Sequence, residues 1–149
     1  MIFGYFRLEI TMAASATKGP RCRQTALCRD SKRFLVEVGT AVRAFPRYHQ
    51  YTHGSDLRRQ AMNVCRLVAR AAQSRAGPER ARLLERLAWQ VEDTKMSLRL
   101  GKELEVFASF AQFQRLAEQA VAMGRQSGGC WKRARSAVPS SSFIGGAGA

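Results

Sequence analysis

The chain has 149 residues, 46% of them hydrophobic, which suits one domain with a real core and is too short for two ordinary ones. Lys and Arg number 25 against 11 Asp and Glu, a formal charge of +14. That field draws polyanions, so nucleic acid, an anionic membrane or an acidic protein comes before a merely basic protein with no such partner.

The opening MIFGYFRLEITMA is apolar and aromatic, but Arg7 and Glu9 break it. No stretch of the chain approaches the roughly 20 apolar residues of a membrane span. Residues 12–29 are rich in Ala, Ser and Arg and poor in acids, a composition shared with some transit peptides. Residues 1–29 are read as a poorly ordered leader, or as translation from upstream of a true start at Met12.

Residues 30–131 are predicted to fold as an all-α, up-down-up-down four-helix bundle. From about Asp30, Phe34, Leu35, Val38, Ala41, Val42 and Phe45 recur on one helical face, and Pro46 ends that helix. The stretch RYHQYTHG then reads as a turn whose Tyr and His rings cover the bundle end. Ser55 caps a second helix, with Asp56 in its first turn. Its stripe is Leu57, Ala61, Val64, Cys65, Val68, Ala71 and Ala72, stopping before Gly77-Pro78. Pro78 opens a third helix, where Leu84, Leu87, Val91, Thr94, Leu98 and Gly101 step by threes and fours as far as about Phe107. Gly101 either lets a neighbour approach or marks a kink. A fourth helix carries Phe113, Leu116, Ala117, Ala120, Val121 and Gly124 and ends near Gly128-Gly129. Residues 132–149 read as a disordered Ser/Gly/Ala-rich tail.

Catalytic and metal sites find little support. His49 and His53 are spaced i, i+4, but Pro46 and Gly54 bracket them and the glutamate of an HExxH zinc motif is missing. Cys22, Cys28, Cys65 and Cys130 form no CxxC pair and suggest no disulfide framework, so a reducing cytoplasm is expected. Carboxylates such as Glu92, Asp93, Glu103 and Glu105 sit among basic residues and read as solvated ion pairs. There is no phosphate-binding glycine loop and no Ser/His/Asp arrangement. The expectation is a non-enzyme without metal or cofactor.

The cations carry more information. Residues 31–131 hold 17 Lys/Arg and 9 Asp/Glu, a net +8, so the excess is not confined to the tails. Arg59, Arg66 and Arg70 form a row on the second helix, with Arg58 beside it. Lys95, Arg99 and Lys102 form another on the third, and Lys132 and Arg133 follow Trp131. Both rows lie off the apolar stripes and could grip phosphates through charge-assisted bonds, unless they are simply solvated faces. Tyr48, Tyr51 and Trp131 stand beside basic residues, where aromatics can stack on unpaired bases or pack a helix end.

The runs FPRYHQYTHGSDLRRQAMNVCRLVARA, LRLGKELEVFASFAQFQRLAEQAV and GRQSGGCWKR, within residues 31–133, resemble the Avd-like four-helix bundle proteins. These are the accessory variability determinants of diversity-generating retroelements in bacteria and phages. Two positions depart from the usual pattern: Cys130 stands between Gly129 and Trp131, and His53 precedes Gly54 where many relatives have an apolar residue. The resemblance implies a homopentamer that binds the element's reverse transcriptase and its template RNA or other nucleic acid, supporting mutagenic retrohoming with no chemistry of its own. A bundle scaffold that binds a protein partner without nucleic acid is the alternative.

Overall fold

The computed structural model describes residues 25–139 and is all-helical, with no strand among them. Helix α1 spans Ala26–Arg43, a single-turn α2 spans Arg47–His49, α3 spans Ser55–Gln73, α4 spans Pro78–Glu103 and α5 spans Phe110–Ser136. α1 packs on α3, α3 on α4, α4 on α5 and α5 back on α1, so the four long helices close a bundle. All six stripe positions expected on α4 are buried, from Leu84 to Gly101. On α5 the stripe differs from expectation: Val121 is exposed, and Met123 and Ser127 are buried with Leu116 and Ala120.

Two helix ends lie further out than the residue types suggest. α1 begins at Ala26, inside the expected leader, because the Thr25 hydroxyl accepts the Cys28 N–H and Leu27 and Cys28 are buried. Cys28 is disulfide-bonded, contrary to the expectation of reduced cysteines, whereas Cys65 and Cys130 are free. Residues 1–24 of that leader lie outside the described residues. α5 runs through Gly128-Gly129 to Ser136, so residues 132–136 are helix and not tail. Each glycine costs about 1 kcal/mol in a helix interior. Cys130, Trp131 and Ala134 pack against the core beyond them, and burial of that kind outweighs propensity.

The largest local difference is the predicted turn after Pro46. Pro46 does end α1, but α2 starts at the next residue, continues through a π-helical segment Gln50–Gly54 and enters α3 without a break. Ser55 is therefore not a cap: Gly54 and Ser55 both have helical backbone angles, and no side chain caps α3. The capping residue is Gln50. Its amide donates to the Arg43 carbonyl at 2.9 Å and the Phe45 carbonyl at 3.1 Å, satisfying acceptors that α1 leaves open. Gly54 is buried, and a Cβ there would stand 2.6 Å from Val42 Cγ1. The glycine serves close packing of α3's approach on α1 and does not break the helix.

α4 ends at Glu103, four residues short of the expected Phe107. The Val106 N–H donates to the Gly101 carbonyl and the Glu105 N–H to the Lys102 carbonyl, a Schellman closure that places Glu105 at φ 54°. A side chain in this left-handed region is strained. Glu105→Gly is expected to raise stability by about 0.5–1 kcal/mol, net of the glycine's greater freedom when unfolded. A denaturant midpoint shifted upward with unchanged slope is the check.

Candidate nucleic-acid interface

Because α3 buries Leu57, Ala61, Val64, Val68 and Ala71, the residues half a turn away face outward. Arg59, Arg66 and Arg70 are exposed there, and Arg58 is exposed beside them. Arg59 is tied to Asp56 in an i, i+3 pair. It also lines a polar groove of about 430 Å³ between α3 and α4, whose far wall includes Gln90 and Asp93. The Asp56 carboxylate thus tempers Arg59. Arg58, Arg66 and Arg70 have no ion-pair partner among the described residues.

The second row does not join the first. Lys95 is largely covered, its side chain only 17% exposed, and it bonds Glu92 at 2.6 Å. Its Nζ lies 2.7 Å from the point where a Gly124 Cβ would be, so the absent side chain on α5 makes room for it. The Lys102 ammonium sits over the Phe110 and Phe113 rings of α5, at 5.8 and 5.6 Å. This row therefore leans toward α5, whereas Arg59 looks into the groove on the α3 side of α4. Of the three, Arg99 alone is exposed without a partner among the described residues.

Lys132 and Arg133 stand on the last turns of α5, both exposed. Arg133 donates to Cys130 Sγ at 3.5 Å, and the Arg135 guanidinium covers the Trp131 ring at 5.4 Å. Where α5 ends beside the start of α4, two neighbouring hollows form. One, of about 280 Å³, is lined by Arg80 and Arg133; the other, of about 310 Å³, by Arg82, Glu85, Trp131 and Arg135. Arg80, Arg82 and Arg135 were not singled out by the sequence pattern, since α5 was expected to stop at its glycine pair. The signal that could have found them is the stripe Ser127, Cys130/Trp131, Ala134, which continues the helical period past the glycines.

The paired histidines separate. His49 meets Tyr48 edge-on, whereas His53 stacks on Phe45. Burial holds the His53 pKa below its ordinary 6.5, against the opposing influence of Asp56 and the Ser97 backbone. Burial likewise pushes the Cys65 thiol up; it donates to the Ser31 carbonyl at 3.1 Å. No group of three or more His, Cys, Asp or Glu that could hold a metal occurs among the described residues. Tyr48 and Tyr51 are 78% and 74% exposed, so they do not cover the bundle end as expected. No helix among the described residues is long and apolar enough to cross a membrane. Fold and surface together define a basic four-helix bundle. The chain matches no protein-family model and no curated protein.

Proposed function

We propose that this bundle is a non-catalytic nucleic-acid-binding accessory protein. The observation that carries the reading is the outward row Arg58, Arg66 and Arg70 on α3, exposed and without ion-pair partners among the described residues, in a chain of charge +14. Three guanidiniums free of carboxylates suit phosphodiester oxygens, and such binding is sequence-tolerant and salt-sensitive. Arg99, Lys132 and Arg133 extend the basic surface, while Lys95 and Lys102 contribute less because α5 covers or engages them.

The resemblance to Avd-like proteins supplies the setting: a bacterial or phage cytoplasm, a diversity-generating retroelement, its reverse transcriptase and template RNA as partners, an up-down-up-down topology and a pentameric assembly. Self-association has support on α4, where Trp89, Met96 and Leu100, spaced seven and four apart, are 67%, 66% and 52% exposed. Single exposed apolar side chains are ordinary, but a helical stripe of them suits a protein interface. The same stripe favours the second reading, a scaffold that binds a protein partner and no nucleic acid.

A structured RNA mixed with the protein at about 0.1 M salt, followed by fluorescence anisotropy, separates the two. Saturable binding is expected. Its absence would leave the scaffold.

A further inference from the structure

The corner where α1 ends and α3 begins holds an ionisable ring that the nucleic-acid reading does not use. His53 stacks on Phe45 with centroids 6.2 Å apart and planes 11° from parallel. Phe107, on the link between α4 and α5, meets Phe45 edge-on at 5.3 Å. Gly101 of α4 lies against both His53 and Phe107: a Cβ there would stand 2.8 Å from His53 Nε2 and 2.9 Å from Phe107 Cε2. Nε2 is sealed from solvent and makes no hydrogen bond.

We propose that His53 is an acid-operated latch: its neutral ring holds Phe107 and the α4–α5 link, residues 104–109, against the bundle, and its protonation releases them.

The reason is desolvation. An imidazolium at this position would be stripped of water against aromatic carbon and glycine, a cost that the nearby Ser97 backbone and Asp56 offset only in part. The ionisable groups around it do not offset the rest. α3 offers Asp56, whose carboxylate is already engaged by Arg59 and Gln60. α2 offers His49, which opposes a second positive charge. α4 offers Lys102 beside Gly101, its ammonium on the far side over the Phe110 and Phe113 rings. α1 and the link offer Phe45 and Phe107, neither ionisable. Phe107 in turn leans on Phe113 at 5.6 Å, so release of the link loosens the start of α5 as well.

The direction follows from the lowered pKa of His53, whose ordinary value is 6.5. The open form binds the proton more readily than the closed one. Closure is therefore fully favoured above the ordinary value and weakens as pH falls below it.

Hydrogen exchange at the Glu105 and Val106 amides, corrected for intrinsic rates, reads the latch directly, since these N–H groups close the end of α4. Between about pH 7.5 and about pH 5.5, opening is expected to rise by more than about twofold and at most about tenfold in the natural protein, and by less than about twofold in His53→Leu. The amides of Ala120 and Met123 in the bundle core serve as the reference and are expected to stay unchanged. Equal pH dependence in both proteins would overturn the latch. So would an NMR titration of the natural protein in which the His53 ring titrates at or above its ordinary value.

Discussion

Gly54→Ala is expected to destabilise the bundle by about 1–3 kcal/mol, although alanine is the better helix former. Two effects oppose each other at this position. Replacing a helical glycine by alanine ordinarily gains about 1 kcal/mol through propensity. Against that, the new methyl would stand 2.6 Å from Val42 Cγ1, 3.1 Å from the His49 carbonyl oxygen and 3.2 Å from Phe45 Cδ2. Val42 is a short, stiff side chain, 1% exposed, and cannot swing away. The backbone must shift instead, separating α1 from the π-helical segment and disturbing the Gln50 bonds that cap α1. Overpacking of this kind exceeds the propensity gain. Gly128→Ala is the matched control: nothing lies within 4 Å of its Cβ position, and the same substitution there is expected to stabilise by up to about 1 kcal/mol. Urea midpoints of the two variants should move in opposite directions.

Replacing Arg58, Arg66 and Arg70 together by Gln is expected to weaken RNA binding roughly 100-fold at about 0.1 M salt and to leave the fold intact. Each arginine is exposed on α3, and Gln has nearly the same helix propensity, so stability should change by no more than about 0.5 kcal/mol. The loss comes from counterion release, to which each phosphate contact contributes separately. Lys95→Gln should behave in the opposite way. It removes the bond to Glu92 and the packing over Gly124, so stability falls by about 0.5–1 kcal/mol and RNA affinity changes little. Thermal unfolding and anisotropy on the two variants give the contrast.

Much of the bundle was legible because helical periodicity needs no partner to be seen. The α4 stripe, with Thr94 and Gly101 in it, is an example: spacing alone placed all six residues inward. What was not legible depended on contacts between distant residues. Pro46 and Gly54 look like breakers on either side of a turn, but the crowding around Gly54, above all by Val42 twelve residues earlier, explains why it is glycine. Gln50 carries no cap signature in sequence, since it reaches back to carbonyls of the preceding helix. At the end of α5, the glycine pair reads as a stop, whereas the packing of Trp131 and Ala134 keeps the helix going.

The candidate site shows the same division. Arg59, Arg66 and Arg70 were placed on one outward face by spacing, and they lie there. The parallel inference for Lys95, Arg99 and Lys102 missed that α5 carries Gly124 and the Phe110/Phe113 pair opposite two of them. Charge spacing on one helix does not reveal which neighbour that face will meet.

The central claim, that the outward α3 arginines bind phosphates, is tested most directly by the salt dependence of RNA affinity. Affinity of the natural protein is expected to fall linearly on logarithmic axes as salt rises from about 0.05 to about 0.3 M, and the Arg58/Arg66/Arg70→Gln variant should lose about two to three units of that slope. A flat response in the natural protein, or a variant with the natural slope, would contradict the account.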